Sequence, residues 1–541
     1  MLRVNQVKLH IKEDIQALTG EVAKLLHIRE EDIYNLTVVK RSLDARKKPV
    51  LHYVYSVDVV LKNEGPVLKR FANRPNVVAL SETVEYQFPP LGTAMTKHPV
   101  VIIGTGPAGL FCGYFLSQHG YCPILLERGK DVDARQKDVD SFWSNGQLHP
   151  ESNVQFGEGG AGTFSDGKLN TLVKDKSGRN KAVLDTFIQF GAPLEIAIDS
   201  KPHIGTDILC NIVKNMRQEI ISKGGQVRFD SKVTDIVIEN DKVKAVIVNG
   251  KDRIDSEHVV LAIGHSARDT FEMLSEKSIS MKAKEFAVGL RVEHPQDLIN
   301  ASQYGVESVE GLGAAPYKLA AKTGSGRGVY SFCMCPGGYV VNASSEPGHM
   351  VVNGMSYSAR AGKCANSAIV VTVSPSDFPE KGPLAGVAFQ RALERKAFEL
   401  GKGKIPVQFY GNFKSQVESG EKQNSDENIS YLPQTKGQYT WANVNEILPE
   451  DCNRAFVEGM EQFGRQIQGF NDSKVCLMGV ESRTSSPVRI LRDDSFESNI
   501  KGLYPCGEGA GYAGGIMSAA MDGMKVAEAI ACKIKPFKDN D

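Results

Sequence analysis

Apolar and polar residues alternate along Val4–Ile11, Leu36–Lys40 and Leu51–Leu61, which predicts half-buried strands, and a helical spacing covers Asp14–Leu26. Together they describe a small α/β unit of ferredoxin-like type whose last two strands form a hairpin. The hairpin connection, Arg41-Ser-Leu-Asp-Ala-Arg-Lys-Lys-Pro49, is basic, and reads either as a solvated loop or as a contact for RNA or substrate. At Pro89-Pro-Leu-Gly92 the pattern breaks, and the first domain boundary is placed near residue 95.

Beyond that point alternation gives way to short continuous apolar runs. Pro99-Val-Val-Ile-Ile-Gly104 is the kind of strand expected where both faces of a parallel sheet are covered, and Pro123-Ile-Leu-Leu-Glu127, Val227–Asp230, His258–Gly264 and Gly502–Glu508 read as further strands. Helices are predicted over Leu110–His119 and Met517–Cys532, and a meander over Lys232–Ile254 turning at Asn240-Asp241. The polar segment Ser415–Asn428 and the charged tail after Pro536 are the weakly ordered candidates.

Composition narrows the class without naming it. In a chain of 541 residues, 64 basic side chains balance 64 acidic ones, and the N-terminal unit is only weakly basic, which argues against a nucleic-acid partner. The N-terminus lacks the apolar core of a secretory signal and no later run reaches membrane-spanning length, so a cytoplasmic protein with no membrane partner is expected. Ten cysteines without a Cys-x-x-Cys pair indicate neither a disulfide framework nor a zinc ribbon, and no metal site is expected.

Gly104-Thr-Gly-Pro-Ala-Gly109 matches G-x-G-x-x-G directly after a strand and runs into a helix. Gly104 permits the tight turn, Gly106 lets backbone approach a pyrophosphate, Gly109 lets helix and strand pack closely, and Pro107 and Ala108 complete the turn. Glu127 ends the next strand about twenty residues on, where a carboxylate binds ribose hydroxyls; Arg128 beside it lies either over the adenine or in solvent. FAD rather than NAD is indicated by Phe156–Lys168, whose glycines, with Gly159, Gly160 and Thr163 as expected contacts, imply close backbone approach to more of the cofactor; a flexible lid is the alternative. Val233 and Gly264 should pass under the cofactor, Glu508 should reach a ribityl hydroxyl, and the helix start at Gly514, Gly515 and Ile516 should point at the flavin.

On these motifs the chain resembles the glutathione-reductase-type flavoproteins of the second subgroup. It resembles more closely the bacterial FAD-dependent dehydrogenases known as NAD(FAD)-utilising dehydrogenases, on Lys201–Asp207, Ser331–Gly338, Val352–Ser356 and Glu481–Pro487. The subgroup usually has Asp where this chain has Glu508, and a more distant similarity runs to geranylgeranyl reductases. The implied fold is α/β: a glutathione-reductase-like Rossmann FAD-binding domain at 96–275 and 475–541, split by a substrate domain with a mixed or antiparallel sheet at 276–474, after the N-terminal domain at 1–95.

Flavin supplies hydride chemistry, so the protein need only place a small-molecule substrate and move a proton. Proton-donor candidates are His203, His265 and His349; Cys333 and Cys335, alternating with Met334 on an aromatic strand, point to one face about 7 Å apart, beyond comfortable disulfide reach, and read as cavity thiols or core rather than as a redox pair. Arg483 and Arg489 bind either an anion or neighbouring carboxylates. No second dinucleotide motif occurs, so NAD(P)H would visit an open flavin face as a transient donor. The expected activity is an FAD-dependent dehydrogenase or reductase, with a flavin monooxygenase and an RNA-modifying flavoprotein as the alternatives.

Overall fold

Val101, Ile103, Ile124, Leu126, Val259, Leu261 and Leu503 turn to one side of a sheet, while Ile102, Leu125, Val260 and Tyr504 turn to the other. That is why these strands show no polar alternation. In a computed structural model, which describes residues 1–80, 85–308, 310–420 and 432–536, the five strands run parallel in the order Leu503–Pro505, Val259–Leu261, Val101–Ile103, Ile124–Leu126 and Gln226–Arg228. Helices Pro107–Gln118 and Ile516–Lys533 cover one face, and the antiparallel meander Val233–Glu239, Lys242–Val248 and Asp252–Asp255 covers the other.

The intervening block forms a seven-stranded sheet. Its order is Ala320–Lys322, Gly328–Cys335, Cys364–Val373, Phe286–Pro295, Cys476–Glu481, Ile405–Phe409 and Tyr439–Trp441, antiparallel except for the last pair. Because Cys476–Glu481 sits inside this sheet, the boundary expected at 475 moves past Glu481. The chain rejoins the parallel unit where Val488–Ile490 pairs with Met281–Ala283.

At the N-terminus, strands Ile33–Lys47, Val50–Leu61, Leu2–His10 and Val77–Ala79 form one antiparallel sheet in that order, with helices Leu18–Leu26 and Glu64–Phe71. The elements follow one another as βαββαβ, adding a second helix and a fourth strand to the βαββ run expected. The solvated loop expected over Arg41–Pro49 is corrected: the strand continues to Lys47. Leu43 and Ala45 pack on the core beneath the seven-stranded sheet, Arg41 pairs with Asp199 at 2.7 Å, and Arg46 with Asp44 at 2.7 Å. Of the weakly ordered candidates, Ser415–Ser419 is helical, whereas 421–428 and the tail beyond Pro536 lie outside the described residues. Among the described residues no helix is long and apolar enough to cross a membrane.

The two larger units are joined through Glu394, on helix Ala385–Gly401. Its carboxylate accepts from Arg268 of the parallel-sheet unit (2.7 Å), from Arg483 (2.8 Å) and from the Ser482 hydroxyl (2.6 Å), and has no exposed surface. Burial alone would raise its pKa, but the two guanidiniums outweigh burial and hold the carboxyl far below its ordinary range. Arg483 is thus salt-bridged, the packing alternative of the two readings. Replacing Glu394 with Ala leaves two buried guanidiniums without their carboxylate, and unfolding by urea should show a loss of about 3–5 kcal/mol. Since the folded carboxyl titrates below the unfolded one, its contribution is complete above about pH 4.5 and should fade as the pH falls further.

Candidate functional site

A cavity of about 360 Å³ opens at the C-terminal ends of the parallel strands, between them and the seven-stranded sheet, and its size is that of a ligand pocket. Gly104, Gly106, Pro107 and Ala108 line it from the first strand–helix turn. Glu127, Arg128, Gly160, Val233 and Gly264 line its flank, and Glu508, Gly514, Gly515 and Ile516 its far end. Sequence positions spread over four hundred residues therefore meet on one surface.

Gly109, Gly159 and Thr163, expected as contacts, stand behind the wall. A Cβ on Gly109 would lie 1.9 Å from the Gly104 carbonyl oxygen, so that glycine serves helix–strand packing. Gly159 backs onto the Thr163 hydroxyl, which donates to the Glu158 carbonyl. The glycine-rich loop owes much of its composition to Arg135, a residue no motif signals. This fully buried guanidinium donates to the carbonyls of Asn153 (2.8 Å), Val154 (2.9 Å), Glu158 (2.7 Å) and Gly160 (3.0 Å), and a Cβ on Gly157 would strike its Cδ at 2.3 Å. Arg135 thus holds the first part of this loop by its carbonyls.

Three glycines are different. Gly514 and Gly515 have open space where a Cβ would stand, Gly106 would meet only the Gly160 Cα at 3.9 Å, and none of the three has the left-handed backbone that favours glycine. Internal packing does not require them to lack side chains, yet all three line the cavity. A ligand pressed against the backbone accounts for that, and Gly106 and Gly515 each cap the N-terminus of a helix whose free N–H groups suit an anion.

Glu127 accepts from the backbone N–H groups of Thr105, Gly129 and Gly157 at 3.0 Å each and from the Thr105 hydroxyl at 2.8 Å. With about four acceptor sites so engaged, it ties three turns together, and a ribose hydroxyl would have to displace the Thr105 hydroxyl. Arg128 is neither solvated nor free: it pairs with Asp269 at 2.9 Å and Glu151 at 2.6 Å and lies over the Phe156 ring.

Among the histidines only His265 lines the cavity, with Nδ1 3.2 Å from Oε1 of Glu508. His203 is displaced from it, its Nε2 3.3 Å from the Ser358 carbonyl, and burial and the Arg360 charge lower its pKa. His349 turns to the Pro347 carbonyl. Arg489 donates to the Gly511 carbonyl and lies over Tyr512.

The opposite wall holds Phe332, Cys333, Asn353, Glu481 and Arg483. Glu481 is 2% exposed, and its Oε2 accepts from Nε of the fully buried Arg291 at 2.8 Å. Burial pushes this carboxyl up to about 7, against the pull of Arg291. Arg291 also donates to the Cys333 carbonyl (2.8 Å) and the Asn353 side-chain oxygen (2.8 Å). Lys168 donates to the Met334 carbonyl and pairs with Asp166 at 2.9 Å, and Asp166 also holds Arg360. Sequence reasoning missed Glu481, Arg291 and Lys168 as site residues; the Glu481–Pro487 motif was the one available signal.

Residues 285–484 match the family model described as FAD-dependent protein, C-terminal domain-like, and residues 1–60 match a domain of unknown function. An uncharacterized protein of Clostridium beijerinckii is 48% identical over 537 residues, 98% of each chain. Among solved structures, glycine oxidase from Geobacillus kaustophilus is 11% identical with a TM-score of 0.36, covering 82% of this chain and 96% of that one. A geranylgeranyl bacteriochlorophyll reductase-like protein from Thermoplasma acidophilum is 11% identical with a TM-score of 0.34, covering 80% of this chain and 78% of that one. Likeness at these scores is too faint to carry a functional reading.

Gly106→Val should fold, because the described residues leave room for the first side-chain atom, but should fill the space beside the helix cap and yield soluble protein without a bound dinucleotide. Gly109→Val should instead fail to fold. Absorbance of the purified variants beside their thermal melts distinguishes the two.

Proposed function

This chain belongs to the same protein family as the clostridial protein, and from that premise we propose that it is an FAD-dependent oxidoreductase acting on a small organic molecule. The observation that carries the reading is the set Gly106, Gly514 and Gly515, whose missing side chains leave backbone open along the cavity between two helix N-termini. A nucleotide running from the first turn toward Gly515 fits that row, with pyrophosphate at the helix beginning at Pro107.

FAD, when bound, supplies two-electron hydride exchange. The protein's part is to position it, exclude water and manage one proton. In this reading Glu127 and Arg135 hold the turns, Glu508 and His265 stand at the far end, and Arg291 and Asn353 order the opposite wall. Glu481 is the proton donor when substrate is reduced: it lines the cavity, is nearly buried, and keeps its proton up to about pH 7 because burial disfavours the carboxylate. No histidine is needed for that role.

The electron donor follows from what the cavity lacks in specificity. The single G-x-G-x-x-G turn is assigned to FAD, so NADH and NADPH would compete for an open face with little discrimination.

Purified protein should be yellow, and acid precipitation should release the flavin into the supernatant; colour retained in the pellet refutes non-covalent binding. Anaerobic mixing should show bleaching by NADH and NADPH at rates within a few-fold of each other and below about one per second, the low end of ordinary turnover. A strong preference for one nucleotide would contradict the open face. With Glu481 as acid, substrate reduction should decline as the pH rises through about 7. Glu481→Gln should flatten that limb and slow the reaction by about 10²–10⁴-fold, with flavin content unchanged.

A further inference from the structure

Strand Gly328–Cys335 does not keep its alternation. Phe332 stands opposite Ala368 and Cys335 opposite Asn366, so three steps on this strand match two on its partner. The extra residue is accommodated at Cys333, whose φ of 45° is left-handed and costly for a residue with a Cβ. The consequence is a change of face. Val329 and Met334 both enter the core beneath the sheet, although five residues apart, while Phe332 and Cys333 both line the cavity. Without the bulge Cys333 would lie on the core side with Val329.

Cys335, fully buried, packs directly behind: its thiol donates to the Cys333 carbonyl at 3.2 Å. The spacing of about 7 Å that argued against a bond between them assumes unbroken alternation, which the bulge at Cys333 interrupts. Two cations grip the turn from either side, Arg291 on the Cys333 carbonyl and Lys168 on the Met334 carbonyl. We propose that Cys333 and Cys335 are a redox-active dithiol that carries two electrons from the reduced flavin to a disulfide substrate in the cavity.

The two thiols differ in the way such a pair requires. The neighbouring Cys335 thiol, and then the Arg291 and Lys168 charges, lower the Cys333 pKa against burial, while burial raises that of Cys335. Asp166 faces the same turn and opposes the thiolate. The Cys333 thiolate would attack one sulfur of the substrate disulfide, forming a mixed disulfide and expelling the other sulfur as a thiolate. Cys335 then attacks the Cys333 sulfur, its proton passing to the departing second substrate thiolate, and leaves a Cys333–Cys335 bond. FAD, when bound and reduced by a nicotinamide or dithionite, would supply the two electrons that return this bond to two thiols.

This inference rests on the FAD reading only for its electron source, so the test has two arms. In an anaerobic dithionite titration of diamide-oxidised holoenzyme, wild type should take up about four electrons per flavin, two for each couple, and Cys333→Ser and Cys335→Ser about two. In the second arm, peptide mapping after diamide should find Cys333 and Cys335 joined and resistant to alkylation. Cystine added to reduced Cys335→Ser should leave a stable half-cystine adduct on Cys333 that wild type resolves. Wild type accepting only two electrons, with both cysteines alkylated after diamide, overturns the dithiol while leaving the flavin reading intact. A colourless protein with a joined pair would sink the flavin reading alone.

Discussion

A carboxylate with no exposed surface fixes the two halves of the crevice against each other. Glu394 comes from a helix of the seven-stranded unit and meets Arg268 from the nucleotide side and Arg483 from the cavity wall. Charge alternates outward from it, through Arg268 to Glu346 and from Glu346 to Arg391 and Glu272. Such a chain is expensive to bury and strongly directional, because each guanidinium has fixed donor positions. An apolar contact would hold the units together as well, but would tolerate sliding. The ion network admits one registration, and the cavity between the sheets takes its shape from that registration.

Charge plays the same part within the nucleotide side. Arg135 gathers the carbonyls of the 153–160 loop, and Glu127 gathers the N–H groups of three turns. Neither residue has to reach a ligand to matter. Their work explains why many of the glycines there are present at all, and why only a few remain to be explained by something in the cavity. Sorting the glycines by what a side chain would meet separates those that serve the fold from those that face the ligand.

The two walls contribute differently. The parallel unit offers mostly backbone, helix ends and small residues, suited to holding a large cofactor. Reactive side chains come chiefly from the antiparallel unit: Glu481 beside Arg291, and the cysteines on the bulge. A nucleotide platform and a separate sheet of reactive groups can change independently, so the binding half says little about the substrate.

The parallel sheet, its first turn and its last helix were legible because each depends on neighbours in sequence. Continuous apolar strands, a glycine turn and a helix start form within a dozen residues, and Gly104, Gly106 and Gly515 could be assigned from that local pattern. The first strand, first helix and hairpin of the N-terminal unit were legible for the same reason, although the Arg41–Lys47 strand was not, since Asp199 and the core that hold it lie far along the chain. His203, Gly159 and Thr163 were misplaced because composition does not say which side of a loop meets the cavity. Glu481 was missed because a carboxyl is perturbed by burial and by a partner 190 residues away. Cys333 was expected on an alternating strand and reached the cavity by a bulge, a feature of pairing between strands that a single strand's sequence does not carry. Local periodicity thus determined the elements and the glycine turns, while long-range pairing and burial, which set distances and pKa values, were decided only when the chain folded.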